Sequence, residues 1–194
     1  MIVDLARRRV TVRRFLSKEI PLKKIIRIIE VARQAPSGAD RQPWRFIVVS
    51  HVGLKLRIRE ECERIERSFH RKAPEWMKKW LTGKKITPIK KFLTEAPHLI
   101  IVCSQKADVY NVQSVWLSIG YMLLAIEEEG LATVTYTPSR TAAIREILKI
   151  PDGYMVEAIL PAGYAAEKPK KDRRPLSELV YKNTWGRKFR ESTL

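Results

Sequence analysis

The sequence predicts one α/β or α+β domain in which a central sheet is covered by helices. Short β-branched apolar runs of strand length alternate with amphipathic, helix-length patterns along the whole chain. One long segment, Asn111 to Glu129, is apolar on nearly every side and has to be buried, centrally or against another subunit. No repeat, low-complexity stretch or shift in composition divides the 194 residues, which suffice for a single large core.

From Pro21 to Ala35 the apolar positions Leu22, Ile25, Ile26, Ile29 and Ala32 recur at helical spacing, with Lys23, Lys24, Arg27 and Glu30 opposite, and Pro21 suits a first turn. FIVVS (Phe46–Ser50) and HLIIVCS (His98–Ser104) read as buried strands. Residues 53–82 form one or two strongly charged helices, broken near Pro74 and Gly83. The helix from Asn111 follows, then a strand ATVTYT (Ala132–Thr137) ended by Pro138. Ser139 is placed to cap a short helix running to about Lys149. MVEAILPAGYA gives a last strand, and a basic tail starts at Lys168.

Hydrophobic residues make up 45% and charged residues 30%, the balance of a soluble globular protein and not a disordered chain. No apolar run approaches the roughly 20 residues of a membrane span, and MIVDLARRR lacks the features of a signal peptide. A cytoplasmic location and no membrane partner are expected. Cys62 and Cys103 are too far apart for a zinc or redox pattern. The formal charge of +17 raises nucleic acid as a partner. The cations, however, run from Arg7 to Arg190 mixed with glutamates, as in RIREECERIERSFHRK. That mixture describes an ion-paired surface of thermophile-like composition and argues against nucleic acid.

Three clusters carry the functional signal. In an extended segment Arg9, Thr11 and Arg13 share one face, and two guanidinium forks flanking a hydroxyl suit a phosphate; the plainer alternative is a charged N-terminal arm. Lys171 and Arg173, in the Pro-rich EKPKKDRRPL, form a second extended pair that either converges on the same phosphate or is a solvated charge run. The third cluster is QAPSGADRQPW (Gln34–Trp44). There Pro36 ends a helix, Gly38 permits a tight turn or close approach, Ser37, Asp40 and Gln42 offer short polar groups, and Trp44 anchors the exit. Such a loop suits a planar polar heterocycle, or else only links helix to strand around a buried Trp. The chain has no GxGxxG, GxxxxGK[ST], HExxH or GxSxG, no metal set among His51, His70 and His98, and no nucleophile–base pair. An enzyme of this composition relies on a cofactor.

RVTVRRF (Arg9–Phe15), PSGADRQPW (Pro36–Trp44), the helix ending in Gly-Leu, TVTYT, LPAGY (Leu160–Tyr164) and KDRRPL (Lys171–Leu176), in this order, resemble the FMN-dependent nitroreductase family over nearly the whole chain. The resemblance implies an α+β nitroreductase-like fold with a mostly antiparallel sheet flanked by helices, and an intertwined homodimer whose flavin sites lie between subunits. It implies one FMN-binding domain over residues 1–194, with a variable helical excursion or lid at 53–90 and a C-terminal arm at 181–194. The FMN-binding positions it matches are Arg9, Val10, Thr11, Arg13, Lys171 and Arg173 at the phosphate, and Pro36, Ser37, Gly38, Asp40 and Gln42 along the ring and ribityl chain. Tyr136 and Thr137 match positions presenting backbone near flavin N5.

Two departures stand out: Asp40 replaces the usual Asn, and Pro138 removes an N–H. The activity implied is ping-pong transfer of hydride from NAD(P)H through flavin N5 to a small-molecule electron acceptor, namely a nitroaromatic, quinone or flavin, with no side chain assigned as acid–base catalyst. Alternatives on the same fold are flavin fragmentation or reductive dehalogenation. From another class, the alternative is a basic nucleic-acid or anion-binding protein without enzyme activity. Phe69, Trp76 and Trp80 are read as lid residues that select the acceptor, or as core anchors; Trp185 and Phe189 as anchors of the C-terminal arm on a partner.

Overall fold

A computed structural model describes residues 1–107 and 109–188. Its sheet has three antiparallel strands, β1 (Trp44–Val49), β2 (His98–Gln105) and β3 (Tyr154–Ala162), in that spatial order with β2 central. β2 reads as a continuous apolar run because both of its faces are covered. Leu99, Ile101 and Cys103 point to one core, and Ile100 and Val102 to the other. Pairing is regular from Val49↔Leu99 to Trp44↔Ser104, and between β2 and β3 a bulge falls at Val102/Cys103.

One face of the sheet packs against α2 (Leu22–Ala32) and α6 (Asn111–Glu128), through Ile25, Ile28, Ile119, Met122 and Ile126. The Ser118 hydroxyl donates to the Ala32 carbonyl at 2.8 Å, tying the two helices. The other face packs against α3 (Val52–Lys72), α5 (Phe92–Glu95) and α7 (Ala142–Ile147), through Ile58, Cys62, Leu93 and Ile144. α1 (Ile2–Arg8), α4 (Glu75–Gly83) and α8 (Leu176–Leu179) lie outside these layers and were not anticipated as separate short helices, α4 excepted. The break at Ala73–Pro74 divides α3 from α4, as the proline predicts.

Three expectations change. ATVTYT does not form a continuous strand: it makes isolated bridges, Thr11↔Thr133 to the N-terminal segment and Ala132↔Gly163 and Tyr136↔Ile159 to β3 and the residue after it. Thr141, and not Ser139, stands at the N-cap of α7. The long apolar helix α6 is buried on one side within the chain and leaves Trp116, Leu117 and Tyr121 exposed, so of its two expected settings the wholly central one does not apply. Trp185 is exposed too, stacked at 4.7 Å on Tyr181, whereas Phe189 lies outside the described residues. Among the described residues no helix is long and apolar enough to cross a membrane.

Candidate functional site

The two cationic ends of the chain meet. Residues 9–13 run extended, with Val12 buried and Val10 packed on the core, so Arg9, Thr11 and Arg13 project the other way. The bridge Thr11↔Thr133 and the bond from Val12 N–H to the Thr133 carbonyl (3.0 Å) hold this segment to the floor of the domain. Val10 offers a ligand only its backbone. Lys171 Nζ donates to the carbonyls of Arg9, at 2.7 Å, and of Ala6. Desolvation, and then the charges of Arg9 and Arg173, hold the Lys171 ammonium below its ordinary pKa. Among the described residues none of Arg9, Arg13, Lys171 and Arg173 forms a salt bridge. Crowded cations without a salt-bridge partner of their own fit a phosphate.

The loop after α2 sits elsewhere. The Gly38 N–H donates to Ser114 Oγ at 3.1 Å, at the N-terminal end of α6. Gly38 is needed for close approach and not for a turn: a Cβ there would meet the Tyr110 ring at 3.1 Å. The positive φ values fall instead on Ala39, Asp40 and Gln42. Asp40 is not paired with Arg41; its Oδ1 accepts from the Gln42 side-chain amide at 3.1 Å, while Ser37 Oγ accepts from the Gln42 N–H at 3.0 Å. Asp40 therefore shapes the loop, and Pro36 stands exposed on it. The phosphate set borders the other end of α6, where Arg8 pairs with Glu127 at 3.3 Å and Glu127 acts on Lys171. Ser114 and Glu127 are about 20 Å apart along a helix rising about 1.5 Å per residue. Within one chain, loop and phosphate set are not brought together.

A cavity of about 870 Å³ opens beside Arg13, lined also by Thr135, Tyr136 and Thr137 and by Glu66, Trp80 and Lys90. Tyr136 enters it differently from the expectation. Its N–H and carbonyl are both taken by Ile159, at 3.0 and 2.8 Å, so its backbone is committed and Thr137 is left to present backbone there. The Tyr136 hydroxyl instead donates to Glu66 Oε1 at 3.2 Å. Glu66 Oε2 pairs with Lys90 Nζ at 3.1 Å, both side chains being nearly buried. Burial pushes the Tyr136 hydroxyl well above the ordinary phenol range, so it acts as a neutral donor. The sequence reading missed Glu66 and Lys90, since one more Glu in RIREECERIERSFHRK and one more Lys in PIKKF carry no local signal. Trp80 lines the cavity, whereas Trp76 and Phe69 do not.

Residues 6–164 match the model of the nitroreductase family. The chain belongs to this family. Among its relatives, the iodotyrosine deiodinase of Thermotoga neapolitana is 44% identical over 186 residues, covering 95% of this chain and 99% of the relative. Iodotyrosine deiodinase 1 of Mus musculus is 34% identical, covering 91% and 67%. A crystal structure of oxidised iodotyrosine deiodinase bound to FMN and 3-iodo-L-tyrosine superimposes with a TM-score of 0.89 at 42% identity, covering 95% of this chain and 99% of that one. A Bacteroides thetaiotaomicron NADH dehydrogenase/NAD(P)H nitroreductase shares the fold at TM-score 0.74 and 24% identity. The α+β nitroreductase fold, with its helix-flanked antiparallel sheet, is therefore the fold of this enzyme.

Proposed function

We propose that the chain is an FMN-dependent reductive dehalogenase acting on a halogenated tyrosine, and that it works as a homodimer. Reductive dehalogenation is among the alternatives the sequence offers, without a named substrate; reduction of nitroaromatics, quinones or flavins is its main reading. The observation carrying it is the nearly buried Glu66–Lys90 pair on the cavity wall. A simple nitroaromatic or quinone has no use for a desolvated acid and base side by side, which are costly to bury. An amino-acid head group has use for both, its ammonium at Glu66 and its carboxylate at Lys90. Relatives over nearly the whole chain, named iodotyrosine deiodinases, support the same reading.

FMN would supply the two electrons, drawn from NAD(P)H as the proposed reductant. With one proton these replace a carbon–halogen bond by carbon–hydrogen and release halide. Arg9, Thr11, Arg13, Lys171 and Arg173 hold the phosphate, and Thr137 offers backbone to the ring. Trp80 covers the cavity and keeps water from the reacting ring. Pro36, Ser37, Gly38 and Gln42 serve the site of a second copy, because α6 separates them from the phosphate set of their own chain. The exposed Trp116, Leu117 and Tyr121 of α6 supply apolar surface for that contact.

Anaerobic mixing of the reduced, FMN-loaded protein with 3-iodo-L-tyrosine tests the assignment. The expected result is one iodide and one tyrosine per flavin oxidised. Rapid turnover of a nitroaromatic with no iodide release would return the assignment to a general nitroreductase.

A further inference from the structure

The structure assigns Tyr136 a role that goes beyond holding the sheet together. We propose that its hydroxyl is a positioning group that sets specificity, fixing the Glu66 carboxylate in the orientation that receives a substrate ammonium. This rests on the proposed function above, and adds to it the residue that makes the head-group site selective.

The argument starts from what the pair would do alone. Glu66 sits on α3 and Lys90 on the connection into α5, and a flexible carboxylate facing a single ammonium tends to bring both oxygens to it. Acid and base would then satisfy each other and recognise nothing. Here the carboxylate is stretched between two elements instead: Oε1 accepts from Tyr136 at 3.2 Å, and Oε2 pairs with Lys90 at 3.1 Å. Each oxygen of an ionised carboxylate has a further lone pair, left for a ligand in the cavity.

The Tyr136 ring is itself fixed. It is 8% exposed, edge-on to Phe92 at 5.6 Å, with Lys90 Nζ 5.6 Å from its centroid and both its backbone groups bonded to Ile159. A donor mounted that rigidly fixes its acceptor and spares the ligand the cost of ordering it. His70 Nε2, 3.8 Å from Glu66 Oε2, is too far to substitute for it.

Tyr136→Phe removes the hydroxyl and keeps the ring. Flavin-fluorescence quenching on the FMN-loaded protein measures binding of three ligands: 3-fluoro-L-tyrosine, its deaminated acid 3-(3-fluoro-4-hydroxyphenyl)propionate, and 2-fluorophenol. Their carbon–fluorine bonds resist reduction, so binding is read without turnover. The variant is expected to bind fluorotyrosine about tenfold more weakly, the loss of one hydrogen bond to a charged acceptor. The other two ligands should change less than twofold, with flavin occupancy retained. In a Glu66→Gln background, Tyr136→Phe should add nothing, since the two act as one unit. Unchanged fluorotyrosine binding, or equal weakening of all three ligands, overturns the role of Tyr136 alone. A wild-type protein that takes up FMN and binds none of the ligands overturns the proposed function, and this inference with it.

Discussion

Lys55 carries its ammonium inside, 6% exposed, and donates to the carbonyls of Thr94, Ala96 and Pro97 at 3.4, 2.7 and 3.2 Å. These carbonyls end α5 and enter β2 without partners of their own, so the lysine closes a helix terminus that the short FLTE turn cannot close itself. Lys55→Met should cost about 3 kcal/mol, as buried carbonyls lose their donor, read as a lower thermal midpoint. Cys62 and Cys103 behave in the opposite sense from reactive thiols: burial pushes them up to about 12 and about 11. Both should resist a thiol reagent at pH 8 in the native state. The folded chain also keeps these protons above pH 9, where the unfolded chain loses them, so their contribution makes stability fall between about pH 9 and 12. At this scale the sequence was least informative. It singled out the cations of RVTVRRF and KDRRPL because they alternate along extended backbone, and the structure brings Lys171 onto the Arg9 carbonyl. It could not show that Tyr136 turns its side chain, and not its backbone, to the cavity, since that depends on the pairing with Ile159.

Among the elements, the longer helices α2, α3, α4 and α6 were legible because their composition is periodic or continuous and Pro21 and Pro74 mark ends, whereas the one- or two-turn α1, α5 and α8 were not. The strands β1, β2 and β3 were legible because each is long enough to show an apolar run. Residues 132–137 have the same composition but bridge alternately to the Thr11 segment and to the β3 end, and no sequence pattern distinguishes a strand from a splint. One of those bridges ends at Gly163, where an added Cβ would stand 2.5 Å from the Phe15 ring. Gly163→Ala should therefore cost about 1–3 kcal/mol by overpacking and loosen the segment carrying Arg13 and Arg14, with weaker FMN binding as the second readout. The helices α3–α4 turn part of their surface to the cavity and carry ion pairs on the rest. Glu66 and Trp80 face the cavity, while Arg64–Glu61 and Lys78–Glu75 pair along the outside. Trp80→Ala should shift the relative rates among halogenated phenols, and Trp76→Ala should not.

For the whole molecule, pairs between elements such as Arg8–Glu127 and Arg27–Glu129 neutralise part of the 38 Lys and Arg, the net charge of +17 remains, and among the described residues Lys171 is drawn onto the Arg9 carbonyl with Arg173 close by. Replacing Arg9 and Arg173 together by Ala should weaken FMN binding about a hundredfold or more, as charge-assisted contacts are lost. Alternation alone narrowed the fold to α/β or α+β and the family resemblance chose the antiparallel α+β form, whereas the separation of the Pro36–Gln42 loop from the Arg9–Lys171 cluster was not readable, because it depends on the length of α6 lying between them. That separation leads to the central claim, that each flavin seat is assembled from two copies of the chain. The most direct test mixes two inactive variants, Arg9→Ala/Arg173→Ala and Pro36→Trp, after joint unfolding and refolding with FMN. Random pairing should restore flavin to about a quarter of the sites, because each mixed dimer has one seat with both halves intact. Flavin binding that never exceeds that of the separate variants would contradict a seat built across two chains.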